Sequence, residues 1–444
     1  MYVKGLNLSN ILNDEKNTLL TLLATFFSSS SETLDANDCI AYAKEHNLSI
    51  KQSEIDLKST DIEVWQTKAN FLPSINSEAA YNWNTGKNIN PVSNQFENTT
   101  FESASGGISM SIPLFSGLQN WRKLQQAKCK QLATQYQLDM KKDEIILMII
   151  NAYTEVLSNK EKIKIQKAQL EISKESVART REFINAGSLP KGDIYESEAQ
   201  LFSLEQKIIE TESALFIGKM GLAQLLLLKN YKDFEVADNT FEVPVADILN
   251  KTPEEIYQSA KEIMGEVKLA TANVQLAESS LRLSQSAFWP RLSAQWGYSS
   301  RWSKNQVMDF WKQLDTNKGM YAGLSLSIPI FNHFSVLSNV KTQKLALQKM
   351  QLAKEQTELS TEKNIYQAYN DAANAKKLYE ASEKTAQAKE QSFSYARERH
   401  NVGLMNTFDF NQSKYEYENA QNDVIKAKYQ YIFKLKVLEY YFSH

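Results

Sequence analysis

Glycine and proline are scarce in this chain, whose 444 residues include 14 glycines and 8 prolines. Because both residues interrupt regular structure, their scarcity predicts long, uninterrupted elements. Hydrophobic residues make up 42% of the sequence, slightly less than in an ordinary soluble domain. The long elements are therefore expected to contact water on more than one side.

Cysteine is rarer still, since Cys39 and Cys129 are the only two. They form no CxxC motif, zinc pattern or disulfide framework, so both are interpreted as small buried apolar residues. Lys and Arg number 50 against 52 Asp and Glu, and this balance indicates no nucleic-acid partner. The sequence lacks HExxH, GxSxG and phosphate-binding glycine motifs, and its four histidines are scattered. No enzyme activity, metal or cofactor is therefore expected.

No run of apolar residues reaches the roughly 18 residues that a membrane helix needs. The longest, Leu19 to Phe27, follows Lys4 and Lys16 and precedes four serines. This order predicts a secretory signal peptide within residues 1–31. A disordered leader or a misassigned start codon is the alternative.

Internal repetition is the strongest pattern that is present. Three separated motifs recur at an offset of 216 or 217 residues, which predicts a tandem duplication. The predicted first repeat spans 32–228, the linker 229–253 and the second repeat 254–444. The paired motifs are Phe71-Leu-Pro73 with Phe288-Trp-Pro290, Ser-Ile-Pro113-Leu-Phe115 with Ser-Ile-Pro329-Ile-Phe331, and Asn185-Ala-Gly187 with Asn401-Val-Gly403.

Each repeat is predicted to contain a helix, two strands, a very long helix and a returning helix. Each very long helix would contain about 70 residues without a break and would extend roughly 100 Å. A helix of this length needs coiled-coil partners. A seam of alternating three and four spacing runs from Ile194 to Leu225, as in a coiled coil. The predicted strands are 71–86, 101–116, 289–303 and 320–331, the long helices 117–186 and 332–402, and the returning helices 191–228 and 405–442.

The predicted strands alternate apolar and small polar residues, as strands of a membrane barrel do. All seven tryptophans lie in or beside them, and polar segments Lys87 to Thr100 and Ser303 to Lys318 are interpreted as external loops. A small soluble sheet is the alternative. Four strands leave open edges, which lipid does not tolerate, so two, three or four copies are expected to share one barrel. The predicted membrane-interface aromatics are Tyr81, Trp83, Trp296, Tyr298 and Trp302.

Three stretches of the sequence match a known family in order. They are Cys39 to Asn47, the junctions at Pro113 and Pro329, and Asn401-Val402-Gly403-Leu404 with Asp409 beyond. Through them the chain resembles the TolC-like outer-membrane efflux protein family, the outer membrane factors of tripartite exporters. The resemblance implies a mixed α+β, mostly α fold, in which long antiparallel coiled-coil helices form a periplasmic α-barrel. Four transmembrane strands per chain would join the β-barrel of a homotrimer in the outer membrane.

The resemblance implies a passive duct. It would dock with a periplasmic adaptor (a membrane fusion protein) that joins it to an inner-membrane RND or ABC pump. The cargo would be small toxic molecules or proteins, which the sequence does not separate. The alternative functions are a soluble periplasmic coiled-coil scaffold or an adaptor protein. An adaptor carries one long helical hairpin, whereas this chain is predicted to carry two.

The same resemblance implies that the helix tips contact the adaptor and form the periplasmic gate. Asp409 aligns with a lumen-facing carboxylate of the family, and the family's second acid is replaced by Gln412. Asp193 aligns with an acid that is locked to a basic residue, which is replaced here by Met405. Arg397, Arg399 and His400 are the candidates to substitute for it. The expected docking residues are Gly187, Leu189, Val402, Gly403 and Leu404.

Overall fold

The computed structural model describes residues 33–89, 95–228, 234–237, 247–261, 263–304 and 306–443. The predicted signal peptide and most of the predicted linker lie outside these residues. Helices dominate the described residues. They are α1 (Ala36–His46), α2 (Leu48–Ala69), α3 (Gln119–Asn185), α4 (Asp193–Leu226), α5 (Pro253–Ala260), α6 (Gly265–Gln285), α7 (Phe310–Thr316), α8 (Ser335–Asn401) and α9 (Thr407–Ser443).

The two longest helices, α3 and α8, contain 67 residues each. This corresponds to about 100 Å of helix. Both of their ends are offset by the 216 residues that separate the sequence motifs. No described helix is long and apolar enough to span a membrane.

The strands form two sheets among the described residues. A short parallel pair joins β1 (Thr33–Leu34) to β4 (Glu235–Val236). The main sheet is antiparallel, with strand order β2-β3-β5-β6. Its strands are β2 (Ser74–Ile89), β3 (Phe96–Phe115), β5 (Arg291–Ser303) and β6 (Gly319–Ser327).

The strands differ from their predicted bounds in two informative places. β6 ends at Ser327, so the predicted strand residues 328–331 lie outside it. Pro329 lies in that segment and has no N–H to donate to a strand partner. At the other end, β2 and β3 pair as far as Ile89 and Phe96. Lys87 to Thr100, which the sequence predicts to be an external loop, therefore lies largely within a long hairpin.

A left-handed pair of residues joins each half of the sheet to its long helix. Gly117 and Leu118 precede α3, and His333 and Phe334 precede α8, all with positive φ. A Cβ on Gly117 would lie 2.6 Å from the Cβ of Trp289 and 2.8 Å from the carbonyl oxygen of Ser286. Glycine is therefore needed at the first junction for space as well as for φ.

The chain divides into two compact units, each of which draws on both predicted repeats. The tip unit comprises Met1–Asn47, Ile145–Val245 and Asn374–Lys434, and the sheet unit comprises Leu48–Glu144, Ala246–Ala373 and Leu435–His444. Each unit has its own buried apolar side chains. Among the largest are Tyr153, Tyr431, Leu222 and Ile432 in the tip unit, and Ile50, Ile256, Ile365 and Leu438 in the sheet unit.

The two cysteines differ in environment. Cys39 is fully buried in the tip unit, and burial, with Asp38 and Asp35 nearby, raises the pKa of its thiol to about 12. Cys129 is only partly buried, so the prediction that both are buried is wrong for Cys129. It lies on α3.

Candidate functional site

The register of the main sheet collects its apolar side chains on one face. Ile75 lies opposite Met110, which lies opposite Trp296. In the adjacent row, Ile108 lies opposite Tyr298. Because side chains alternate between the faces of a sheet, these residues share one surface. This surface is named the apolar face; it continues across β6 through Met320, Ala322 and Leu324.

The opposite face of the sheet carries small and polar side chains. Asn76, Ser109 and Gly297 form one row across three strands. The row beside it contains Glu78, Gly107 and Ser299, and another contains Ser74, Ser111 and Gln295. The sheet therefore separates an apolar surface from a surface that water can wet.

Aromatic rings cluster on the apolar face beside the C-terminal end of β5. The ring of Tyr81 stacks on Trp302 at 6.4 Å and lies 6.0 Å from Trp83. The Tyr81 hydroxyl donates to Glu102 at 2.7 Å, and Lys304 also donates to that carboxylate at 2.5 Å. The two other predicted interface aromatics, Trp296 and Tyr298, lie nearer the middle of β5.

A second group of exposed aromatic residues lies where the strands meet the helices. Phe331 and Phe334 pack edge to face at 5.5 Å. The other members are Trp65, Trp121 and Trp289, all more than half exposed. Aromatic residues thus occur at both ends of β5, where Trp289 precedes the strand and Trp302 lies near its last residue.

The tips of the long helices end with the same backbone geometry. The N–H of Gly187 donates to Ile184 and that of Ser188 to Phe183. The N–H of Gly403 donates to His400 and that of Leu404 to Arg399. Both glycines have φ of +74°, as in a Schellman cap. The two turns therefore repeat at the same offset of 216 residues.

The second tip presents more apolar surface than the first. Val402 and Leu404 are 69% and 70% exposed, and they flank Gly403. In the first tip, Ser188 occupies the place of Leu404, and Leu189 is partly buried. No atom of the described residues lies within 4 Å of a Cβ built on either tip glycine.

Asp193 has a hydrogen-bonding partner from the second tip. The Thr407 hydroxyl, which is 3% exposed, donates to Asp193 Oδ2 at 2.8 Å. Met405 instead packs against the cluster of Phe393, Ala396 and Phe410. The partner of Asp193 is therefore a neutral donor, which sequence reasoning missed because Thr407 matches no motif.

His400 is buried between aromatic rings. Its ring stacks on Phe410 at 4.4 Å and meets Phe183 edge-on at 6.5 Å. Burial and the nearby charge of Arg179 lower the pKa of His400, and Asp193 partly opposes this shift. Of the other candidates for the lock, Arg397 is exposed and Arg399 donates to the Leu404 carbonyl at 3.4 Å.

Asp409 is exposed in the first turn of α9. Its backbone N–H donates to Asn406 Oδ1 at 2.7 Å, and its Oδ2 accepts from Asn406 Nδ2 at 2.9 Å. Gln412 donates to Glu416 at 3.0 Å. Within the described residues, no group of three or more His, Cys, Asp and Glu side chains is placed to hold a metal ion.

Three helices carry exposed apolar stripes with a seven-residue period, which sequence reasoning also missed. The predicted seam on α4 is directed inward, since Leu204, Ile208 and Leu222 are buried. The next face of α4 exposes a separate stripe. A search for apolar residues at every seventh position, made for each face of each helix, would have found all three stripes. They are Tyr195, Phe202, Ile209 and Phe216 on α4, Leu48, Ile55 and Ile62 on α2, and Leu345, Leu352 and Leu359 on α8.

The model of the family described as outer membrane efflux protein matches residues 39–226 and 256–439. The chain belongs to the outer membrane efflux protein family. The family predicted from the sequence motifs is therefore confirmed, and so is the predicted location in the outer membrane. Members of this family and its structural neighbours are channel proteins rather than enzymes.

Two curated relatives of this outer membrane efflux protein are secretion proteins. It is 29% identical to the alkaline protease secretion protein AprF of Pseudomonas aeruginosa over 164 residues, which cover 37% of this chain and 33% of AprF. It is 21% identical to the proteases secretion protein PrtF of Dickeya chrysanthemi over 214 residues, which cover 48% of this chain and 46% of PrtF. The chain thus spans less than half the length of these relatives.

The fold matches that of a solved family structure along almost the whole chain. The outer membrane protein VceC of Vibrio cholerae superposes with a TM-score of 0.78 at 14% identity, covering 92% of this chain and 95% of VceC. The mostly helical fold of this outer membrane efflux protein is therefore that of TolC-like channels.

Proposed function

We propose that this chain is one protomer of a homotrimeric outer-membrane duct, the passive channel component of a tripartite efflux or type I secretion system. The observation that carries the proposal is the division of the main sheet into an apolar and a polar face. The apolar face fits contact with lipid, and the polar face fits a water-filled lumen.

The open edges of the sheet support a barrel that several copies share. β2 and β6 form the two edges of the main sheet, and lipid offers no hydrogen bonds to an open edge. Pairing β6 of one copy with β2 of the next removes every edge when the ring closes. Three copies would give twelve strands, which lies within the size range of such barrels.

The spacing of the two aromatic groups supports a membrane span. Trp289 and Trp302 are thirteen residues apart along one segment, or about 43 Å at the rise of a strand. A tilt of about 40° from the membrane normal reduces this to roughly 33 Å. That height is close to the hydrocarbon thickness of about 30 Å, where aromatic girdles are expected at both boundaries.

The exposed heptad stripes support assembly through the helices. A seven-residue apolar period is the pattern by which one helix packs against another. Within the described residues, the stripe on α4 of the tip unit stays exposed, and so do the stripes on α2 and α8 of the sheet unit. Further copies of this chain are the proposed occupants, which would produce the periplasmic α-barrel.

The helix tips are proposed to dock the adaptor and to form the gate. Gly187, Leu189, Val402, Gly403 and Leu404 would contact the adaptor, because two bare glycine turns admit close backbone approach. Asp409 and Asp193 would lie at the gate with Gln412 and Met405. Repeated around a symmetry axis, Asp409 would favour cations, as acidic rings do. An inner-membrane RND or ABC pump would supply the energy.

The cargo is proposed to be proteins or small toxic molecules. AprF and PrtF are named as secretion proteins for proteases, so protein cargo is the class to test first. The pump rather than the duct would choose between the two classes.

Electron microscopy of the detergent-purified protein tests the proposal most directly. We expect hollow particles with threefold symmetry that exceed 100 Å in length, as helices of 67 residues require. Reconstitution into planar bilayers should then give discrete ion conductance. A solid rod that is stable without detergent would instead support the soluble scaffold, and a different symmetry would overturn the trimer alone.

A further inference from the structure

The connection between β5 and β6 contains the short helix α7, which the sequence did not predict. β6 begins at Gly319, opposite Ser299. β5 continues beyond this pair to Ser303, where it is still paired with β3 on its other side. The last residues of β5 therefore extend past β6, and α7 lies beside them.

Two amide side chains hold α7 against the last residues of β5, which β6 does not pair. Gln313 is 1% exposed; its Oε1 accepts from the N–H of Ser303 at 2.9 Å, and its Nε2 donates to the Met308 carbonyl at 2.6 Å. Asn317 Nδ2 donates to the Arg301 carbonyl at 2.9 Å. These amides supply the hydrogen bonds that a neighbouring strand would otherwise give, so the position of α7 is fixed by the fold.

The side chains that contact α7 show on which side of the sheet it lies. Trp302 stacks with Tyr81 on the apolar face, and its ring lies 5.6 Å from Phe310 of α7. Ser300 projects from the same face as Trp302, and its hydroxyl donates to the Leu314 carbonyl at 2.6 Å. Arg301, with the alternate orientation, projects to the polar face. α7 is thus packed toward the apolar face.

The outer surface of this connection is apolar and exposed. Val307 is 97% exposed and Trp311 is 75% exposed, and Met308 and Phe310 add to the same short stretch. Lys312 is exposed beside Trp311. A tryptophan with an adjacent lysine is the combination found where proteins meet lipid headgroups.

We propose that the segment Gln306–Lys318 is a lipid anchor that inserts Val307 and Trp311 at the boundary between headgroups and acyl chains of the outer leaflet. The occupant is the membrane lipid, because the exposed stretch continues the apolar face that the proposed duct directs toward lipid. The segment would consequently leave the channel mouth uncovered. The inference rests on the proposed function, since it requires the apolar face to contact lipid.

Site-directed spin labelling tests the anchor in the assembled protein. Cys129→Ser removes the partly buried cysteine, whereas Cys39 can stay because it is fully buried and out of reach of the label. Single labels are then placed by Trp311→Cys, Leu324→Cys and Arg301→Cys. Leu324 reports the apolar face, and Arg301 reports the polar face beside Trp302.

The labelled proteins are reconstituted into vesicles of phosphatidylethanolamine and phosphatidylglycerol, and power saturation compares collisions with oxygen and with a water-soluble nickel chelate. Oxygen concentrates in lipid and the chelate in water. We expect oxygen to dominate at 311 and 324, and the chelate to dominate at 301.

The outcomes separate the anchor from the duct. Dominance of the chelate at 311 with oxygen still dominant at 324 would overturn the anchor and leave the proposed duct standing. Low accessibility of 311 to both reagents would assign the segment to a neighbouring copy and also overturn the lipid anchor. Dominance of the chelate at 324 would overturn the membrane-facing sheet itself.

Discussion

The two helix tips share a backbone and differ in their side chains. Gly187 and Gly403 have the same φ, and the hydrogen bonds of their caps correspond residue by residue at an offset of 216. Around this common turn, the first tip places Ser188 where the second places Leu404, and Ile184 where the second places His400. The backbone that the turn requires is therefore the same at both tips, whereas the side chains that each tip presents differ.

The sheet junctions show the same relationship with a different constraint. Both use a left-handed pair of residues at matching positions. The first requires glycine because Trp289 and Ser286 fill the space beside it, whereas the second accommodates His333. Equivalent backbones in the two repeats therefore tolerate different substitutions, which makes paired variants informative.

The largest expected effect separates the two tips by function. If the second tip is the main docking point, Gly403→Trp should abolish export while the trimer still assembles, because the indole would occupy the open space beside the turn. Gly187→Trp introduces the same strain in the matching turn and should reduce export less. Export assays in cells, with trimer bands on gels, measure both.

Gly403→Ala serves as the control for backbone strain. The alanine costs about 1–2 kcal/mol because a non-glycine residue must adopt the left-handed conformation, but it lacks the bulk of the indole. This variant should therefore retain most export. Equal loss of export in both tryptophan variants would contradict an unequal role for the tips.

The second prediction compares the junctions by stability. Gly117→Ala should destabilise the sheet unit by roughly 2–4 kcal/mol, because left-handed strain adds to a clash with Trp289 and Ser286. His333→Gly should be neutral or slightly stabilising, since glycine accepts positive φ without strain. Thermal unfolding of the purified protein provides the comparison. A Gly117→Ala protein as stable as the parent would show that this junction relaxes.

Sequence reasoning located the features that repeat and missed those that depend on three-dimensional neighbours. Long stretches without glycine or proline predicted the bounds of α3 and α8 to within three residues at each end. Period-two alternation assigned the strand faces. The bond from Thr407 to Asp193 and the helix α7 were missed because they depend on local packing, and α7 has only seven residues. The exposed heptad stripes are visible in the sequence. On α4 the stripe was missed because the helix carries two apolar heptad patterns, and only the one that is buried was recognised.

The third prediction weakens the contact between the tips. Thr407→Val removes the donor to Asp193 while preserving shape, and should cost about 1–2 kcal/mol for a hydrogen bond to a partly exposed carboxylate. If this bond helps to hold the gate closed, single-channel conductance should rise. Thr407→Ser keeps a hydroxyl and should conduct like the parent. Unchanged conductance in the valine variant would remove this bond from the gate.

The smallest expected effect concerns pH and is confined to the second tip. Burial and Arg179 lower the pKa of His400 below its ordinary value, despite the opposing charge of Asp193. The folded tip therefore binds a proton less readily than the unfolded chain. The stability that neutral His400 contributes should be fully present above the ordinary histidine pKa of about 6.5. It should be lost progressively as the pH falls through the lowered pKa of the folded state.

Hydrogen exchange at the two tips provides a comparison within one molecule. After normalisation to the first tip, where Ile184 cannot titrate, amides around Gly403 should exchange faster at about pH 5.5 than at about pH 7.5. His400→Ile should abolish this difference because it gives both tips the same apolar residue at the matching position. If the pH dependence persisted in that variant, His400 would not be its source and the prediction would be wrong.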